Sequence, residues 1–139
     1  MNAPTLRVLI TCPPMIGTQN QYLDTFAEKG IEVYCPDVVQ VMTEKELIQL
    51  VPEFDGWIIG DDPATREVFE AGRQGRLKAA VKWGIGVDNV DFSACDDLNI
   101  PIENTPDMFG AEVADVAMGY VIALARETFR IDREIREGE

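Results

Sequence analysis

The sequence contains no histidine, and this absence limits its chemistry more than any other feature. Histidine is the commonest general base near neutral pH and the commonest metal ligand, so a reaction or a metal site here has to use other side chains. The three cysteines, Cys12, Cys35 and Cys95, are odd in number and widely spaced, which argues against disulfides and against a thiolate metal site. We predict a chain without a bound metal whose cysteines are small core residues rather than nucleophiles.

Basic residues are also scarce. Twelve Lys and Arg residues stand against 25 Asp and Glu residues, which gives a formal net charge of −13. A surface this acidic repels phosphate backbones and anionic headgroups, so nucleic acids and membrane surfaces are excluded as partners. The sequence also lacks a secretory leader pattern and any apolar run long enough to cross a bilayer. We therefore expect a cytoplasmic protein.

Five short apolar or alternating segments predict β-strands, at residues 6–11, 31–35, 56–60, 77–83 and 100–104. Segments with helical patterns separate them, and this alternation is typical of parallel βα units joined by right-handed crossovers. The predicted fold is therefore an α/β, flavodoxin-like, five-stranded parallel sheet in the order 2-1-3-4-5, with helices on both faces.

Local signals place several of the helices. Apolar side chains at helical spacing predict the first helix over residues 19–29, and residues 43–46 have the form of a capping box that opens the second. Asp62 and Pro63 have the form of an N-cap followed by a first-turn proline, so we expect Asp62 to cap the next helix.

The C-terminal segment breaks the alternation of strands and helices. Between Gly110 and Gly138 only Gly119 interrupts an apolar, helical pattern, which predicts one long helix. At 1.5 Å per residue such a helix is about 42 Å long and exceeds the roughly 37 Å diameter of a globule of this chain length. We therefore divide the chain into a domain at 1–106 and a helix at 107–139. The helix either packs back on the sheet or is exchanged with a second copy, which would give a homodimer.

A Gly-x-Gly turn follows the fourth strand. Glycines allow a close approach of the backbone, and consecutive N–H groups near the start of a helix can hold a carboxylate or a phosphate. A tight turn alone also favours two glycines, and the residues leave both interpretations open. The turn does not match a dinucleotide motif, because Asn89 occupies the third glycine position. The candidate substrate-binding residues are Lys82, Trp83, Gly84, Ile85 and Gly86.

Three segments occur in an order that points to a known family. They are Trp-Gly-Ile-Gly-Val-Asp-Asn-Val-Asp at 83–91, Ile-Pro-Ile-Glu-Asn-Thr-Pro at 100–106, and Val-Ala-Asp at 113–115. Together they resemble the D-isomer-specific 2-hydroxyacid dehydrogenases, with the phosphoglycerate dehydrogenases as the nearest branch. The resemblance implies a flavodoxin-like substrate domain whose long helix crosses into an NAD-binding domain and builds the dimer interface. It also implies that backbone N–H groups around Gly84, Ile85 and Gly86 hold the substrate carboxylate, with Lys82 at a frequently basic position.

The family's catalytic histidine, its glutamate, the arginine that binds the substrate carboxylate and the NAD loop would all follow Glu139. The resemblance therefore implies a fragment with no catalytic, cofactor-binding or metal-binding residues, NAD being needed only in the whole enzyme. We expect the substrate-binding half of a phosphoglycerate-type dehydrogenase, inactive alone. The alternative is a stand-alone flavodoxin-like binding or interaction module without catalysis. Trp83 and the segment 108–110 depart from the family pattern and leave the substrate open.

Overall fold

The computed structural model describes residues 5–138, which contain a five-stranded parallel sheet. The strands are β1 (Leu6–Ile10), β2 (Ile31–Tyr34), β3 (Gly56–Ile59), β4 (Ala79–Lys82) and β5 (Ile102–Asn104). Their order is β2-β1-β3-β4-β5, and every neighbouring pair is parallel, which confirms the flavodoxin-like prediction. Because the chain winds first to one edge and then to the other, right-handed crossovers place helices on opposite faces.

The described residues also form seven α-helices and two short 3-10 turns, at Gln19–Gln21 and Val51–Glu53. The helices are α1 (Pro13–Gly17), α2 (Leu23–Glu28), α3 (Glu44–Leu50), α4 (Arg66–Gln74), α5 (Phe92–Asp97), α6 (Gly110–Ala125) and α7 (Thr128–Glu137). The chain divides into two compact units between Pro106 and Asp107. Within residues 5–138, no helix combines the length and the apolar character needed to cross a bilayer.

The core of the first unit lies on one face of the sheet. Leu9, Trp57 and Ile59 occupy alternate positions on β1 and β3 and are almost completely buried. Val68 and Phe69 of α4 are buried in the same cluster, and the rings of Trp57 and Phe69 have centroids 5.9 Å apart. Each such side chain contributes about 1.5–3 kcal/mol on burial, so this cluster stabilises the sheet against α4.

The predicted first helix over residues 19–29 is wrong in its bounds. Helix α1 already begins at Pro13, where a proline loses no hydrogen bond because the first N–H groups of a helix have no partner inside it. A 3-10 turn at Gln19–Gln21 follows, and α2 begins only after Tyr22. The hydroxyl of Tyr22 donates to the carbonyl of Met15 at 2.7 Å, so the residue that precedes α2 is bonded to α1.

The capping box is confirmed, whereas the cap at Asp62 is wrong. Thr43 and Glu46 exchange their side-chain and backbone hydrogen bonds at the start of α3 as predicted. The N-cap position of α4 is Thr65, three residues beyond Asp62. The Asp62 carboxylate is completely buried instead and accepts hydrogen bonds from the Met42 N–H at 2.8 Å and the Gly60 N–H at 3.2 Å. Asp62 therefore bonds to the segments before α3 and after β3 instead of capping α4.

The second unit contains two helices instead of the predicted continuous one. Between α6 and α7, Glu127 adopts the left-handed conformation with φ of 53°, and its N–H closes the helix end on the Leu124 carbonyl at 3.3 Å. A non-glycine residue in this conformation costs about 1–2 kcal/mol, which the ion pair of Glu127 with Arg130 partly offsets. Helix α6 has 16 residues and is about 24 Å long, so the predicted overlong helix does not exist.

A buried carboxylate, that of Asp55, lies just before the amino end of β3. Asp55 is 6% exposed and accepts the Arg7 N–H at 3.0 Å, the Arg76 guanidinium at 2.6 Å and the Lys78 ammonium at 2.9 Å. Burial acts to raise the pKa of Asp55, but the Arg7 N–H, Lys78 and Arg76 outweigh it and lower the pKa to about 2. The segment before β3 is thereby joined to β1 and to the start of β4.

We expect Asp55→Asn to lower the free energy of unfolding by about 1 kcal/mol at pH 7, because two cations and an N–H lose a charged acceptor. The lowered pKa stabilises the fold above the unfolded carboxyl's pKa of about 3.9, and this stabilisation is lost as the pH falls through about 2. Urea denaturation from pH 7 to pH 2 measures the difference.

The control is Glu32→Gln, which removes an exposed carboxylate 4.0 Å from Arg7 and should change the free energy of unfolding by less than about 0.5 kcal/mol. A difference between Asp55→Asn and the wild type that stays constant between pH 4 and pH 2 would contradict the assignment of this stabilisation to the Asp55 carboxylate.

Candidate functional site

The Gly-x-Gly turn comprises Gly84, Ile85 and Gly86. It follows Trp83, the first residue after β4, at the carboxyl edge of the sheet. Gly84 has φ of 149°, a conformation that favours glycine. Gly86 does not adopt a positive φ, and a Cβ placed on it would meet no heavy atom within 4 Å. The geometry of the turn therefore accounts for Gly84, whereas Gly86 leaves the backbone open to approach from solvent.

The residues after β5 hold this turn in place. The Gly84 N–H donates to the Thr105 hydroxyl at 2.9 Å, and the Thr105 N–H donates back to the Gly84 carbonyl at 3.2 Å. The side-chain amide of Asn104 donates to the Ile85 carbonyl at 3.4 Å. The Asn-Thr-Pro segment thus positions the turn, a role that its sequence resemblance alone did not reveal.

Two of the four backbone N–H groups at residues 83–86 already donate hydrogen bonds within the protein. Those of Trp83 and Gly84 donate to the Ile59 carbonyl and to Thr105. Those of Ile85 and Gly86 donate to no acceptor within residues 5–138. Of the N–H groups expected to hold a carboxylate, that of Gly84 is therefore engaged, and the next two remain available.

Lys82 places a positive charge beside the turn. The residue is 3% exposed, and its Nζ donates to the Gly60 carbonyl at 2.5 Å and to Asp61 Oδ1 at 2.9 Å. The same Nζ lies 3.8 Å from the point where a Cβ on Gly84 would stand. A buried ammonium needs such partners because its desolvation is costly, so Gly60 and Asp61 belong to the site.

Several residues of the site were not identified from the sequence. The sequence predicted a helix cap at Asp62 and no role for Asp61, yet Asp61 pairs with Lys82, and Asp62 is completely buried. The side-chain amide of Asn89 donates to the carbonyls of Gly60 at 3.1 Å and Asp62 at 2.6 Å. The only usable signal was the placement of polar residues immediately after strands, where parallel sheets gather functional groups.

The cysteines do not contribute a nucleophile. Cys12 and Cys95 are buried, and Cys35 is half-buried. Burial raises the pKa of all three thiols, that of Cys95 to about 12, with Asp91 and Asp96 adding to the effect at Cys95. Because the thiolate is the reactive form, a raised pKa suppresses reactivity.

The turn after β4 offers N–H donors to an anion, whereas neither the loop after β1 nor the loop after β4 has the form of a phosphate loop for NAD. After β1 the chain continues into Pro13 and Pro14, which lack the N–H groups that a phosphate loop requires. After β4 the third glycine position is Asn89, whose side chain is engaged inside the fold. The candidate site therefore combines two available N–H donors with the nearby Lys82 ammonium, and neither loop matches a dinucleotide-binding loop.

Comparison with known proteins finds a matching family model and curated relatives. The family model described as "D-isomer specific 2-hydroxyacid dehydrogenase, catalytic domain" matches residues 8–132. The chain is similar to a hydroxypyruvate reductase of Thermotoga maritima, with 32% identity over 99 residues that cover 70% of this chain and 32% of that protein. It is also similar to a D-3-phosphoglycerate dehydrogenase of Archaeoglobus fulgidus, with 28% identity over 135 residues that cover 96% and 24%. The chain thus spans a third or less of the length of these curated relatives.

A solved structure supports the fold. The crystal structure of a 3-phosphoglycerate dehydrogenase of Entamoeba histolytica, determined with NAD+ bound, superimposes with a TM-score of 0.69 at 23% identity. The alignment covers 86% of this chain and 39% of that one. At this identity the likeness shows the architecture alone.

We expect Thr105→Val to accelerate hydrogen exchange at the Gly84 amide by about fivefold, because the substitution removes a hydrogen-bond acceptor worth about 1 kcal/mol. Amide exchange followed by NMR measures the rate. Thr18→Val is the matched control, since the Thr18 hydroxyl bonds only within the α1 region, to Pro14 and Met15. Equal Gly84 exchange rates in both variants would show that Thr105 does not hold the turn.

Proposed function

The chain belongs to the D-isomer-specific 2-hydroxyacid dehydrogenase family, and on that premise we propose that it supplies the substrate-binding half of an NAD-dependent, phosphoglycerate-type enzyme. The observation that carries the proposal is the pair of available N–H groups at Ile85 and Gly86 beside the buried Lys82 ammonium. Donors and a positive charge at one exposed turn suit the carboxylate that every 2-hydroxy acid carries.

Each residue of the turn has a defined role in this proposal. The N–H groups of Ile85 and Gly86 receive the carboxylate oxygens, and Lys82 contributes the positive charge behind them. Trp83 and the exposed side chain of Ile85 border the ligand. Two neutral hydrogen bonds of about 1 kcal/mol net each correspond to a dissociation constant of about 30 mM, and Lys82 adds to this, so the isolated chain is expected to bind a carboxylate with millimolar or weaker affinity.

The same proposal assigns no turnover to these 139 residues alone. Oxidation of a 2-hydroxy acid needs a base for the hydroxyl proton and a cofactor that accepts the hydride. The chain has no histidine, and its described residues do not fit NAD.

The free cysteines and the acidic composition support a cytoplasmic location.

We expect glycolate, the smallest 2-hydroxy acid, to shift the amide NMR signals of Ile85 and Gly86 with a dissociation constant of about 1 mM or weaker. The purified chain with NAD+ and D-3-phosphoglycerate should form no NADH, as followed by absorbance. NADH formation would disprove the assignment as a binding half. Glycolate binding elsewhere, with these two amides unmoved, would favour the stand-alone binding module.

We also propose that the chain forms a homodimer through α6. This helix is apolar around most of its circumference, and Val113, Tyr120 and Leu124 are 64%, 61% and 75% exposed. A depression of about 560 Å³ with almost entirely apolar walls runs along it. A helix apolar on all sides is normally buried, and a second copy presents an identical surface to it.

Dimerisation of this kind is expected to strengthen with salt, because two copies that each carry −13 charges repel each other. Raising NaCl from about 10 mM to about 1 M shortens the Debye length from about 30 Å to about 3 Å and should lower the dimer dissociation constant at least about tenfold. Sedimentation equilibrium measures this constant.

Leu124→Glu on α6 should abolish the dimer. Val39→Glu makes the same change at a residue that is 95% exposed and outside α6, and it should leave the dimer intact. A chain that stays monomeric at every salt concentration would contradict the proposed dimer.

A further inference from the structure

The ion pair between Lys82 and Asp61 is highly asymmetric. The Lys82 side chain is 4% exposed, whereas that of Asp61 is 83% exposed. The only hydrogen bond of the Asp61 carboxylate within residues 5–138 is the one that it accepts from Lys82 Nζ, at 2.9 Å. One partner is therefore fixed inside the fold, and the other is held from the solvent side by a single contact.

The hydrogen bonds of the Lys82 ammonium identify which partner can be exchanged. An ammonium has three N–H donors, and those of Lys82 reach the Gly60 carbonyl and Asp61, with no third acceptor in the described part of the chain. The Gly60 carbonyl is main chain, and it also accepts from Asn89, so it cannot leave. Asp61 alone can move away without disturbing the backbone.

The position of the pair connects it with the turn. Lys82 Nζ lies beside Gly84, and the available N–H groups of Ile85 and Gly86 follow immediately. A carboxylate bound to those N–H groups would compete with Asp61 for the same ammonium. Exchange of one carboxylate for another keeps the buried charge compensated, and Asp61 already has most of its hydration.

We propose that Asp61 is a resident carboxylate that occupies Lys82 in the unliganded site and is displaced into solvent by the carboxylate of the substrate. The inference rests on the proposed function of the turn and adds a specificity-determining residue to it. Only a ligand with a carboxylate can replace Asp61 in the ion pair with Lys82. The affinity for a neutral analogue therefore does not depend on this exchange. Asp61 also weakens the binding of carboxylates, because each one has to replace it.

The test compares glycolate with its neutral analogue glycolamide in Asp61→Asn. Asparagine keeps the shape of the side chain and an acceptor oxygen but loses the charge, so it competes less for Lys82. We expect the dissociation constant for glycolate to fall by about threefold or more, with no change for glycolamide. Amide NMR titration at constant ionic strength, followed at Ile85 and Gly86, measures both constants.

The matched control is Asp88→Asn. Asp88 is an exposed carboxylate a few residues along the same loop, and it forms no ion pair among residues 5–138, so the variant changes the net charge equally without freeing Lys82. Its affinity for glycolate should stay at the wild-type value. Because asparagine keeps an acceptor oxygen for the buried Lys82 ammonium, we expect Asp61→Asn to remain folded, and the amide spectra report the fold of both variants directly.

The outcomes separate this inference from the proposed function. The first outcome is that the wild type binds glycolate at the turn and Asp61→Asn raises the affinity for glycolate no more than Asp88→Asn does. The proposed displacement of Asp61 is then wrong, and the proposed function remains. An equal gain for glycolamide would also overturn the displacement, because charge would then play no part. If no variant shows shifts at Ile85 and Gly86, both proposals fail together.

Discussion

The buried carboxylate of Asp62 joins the elements on which the candidate site depends. It accepts hydrogen bonds from the Thr11 hydroxyl after β1, from the Met42 N–H before α3 and from the Gly60 N–H after β3. Gly60 in turn offers its carbonyl to the Lys82 ammonium. Because a buried carboxylate is tolerated only when it is well paired, this arrangement fixes the ends of neighbouring strands and, through them, the buried positive charge.

This constraint positions the turn after β4, at which we propose a carboxylate site. The turn is held by the two hydrogen bonds between Gly84 and Thr105, and the N–H groups of Ile85 and Gly86 donate to no acceptor within residues 5–138. Preorganised donors of this kind bind a carboxylate, but they neither accept a proton nor position a cofactor. Under the proposed function, this chain therefore contributes binding, and the proton and hydride transfers need residues that it does not contain.

The features that followed from the sequence are local ones. Alternating strand and helix patterns predicted a parallel α/β sheet, whose order followed from the rules for such folds. The spacing of Thr43 and Glu46 predicted the capping box from neighbouring residues alone. Asp62 was misassigned because its decisive partner, Thr11, lies 51 residues away. The break at Glu127 has no glycine or proline to mark it, and the ion pair of Asp61 with Lys82 joins two strand ends that only the folded sheet brings together.

We propose that the turn after β4 is a carboxylate site with two N–H groups that the protein leaves available. The most direct measurement is a crystal structure of the chain grown with a 2-hydroxy acid. We expect the carboxylate of the 2-hydroxy acid to lie on the N–H groups of Ile85 and Gly86, facing the Lys82 ammonium. A ligand ordered at any other place in the chain, with the turn empty, would contradict it.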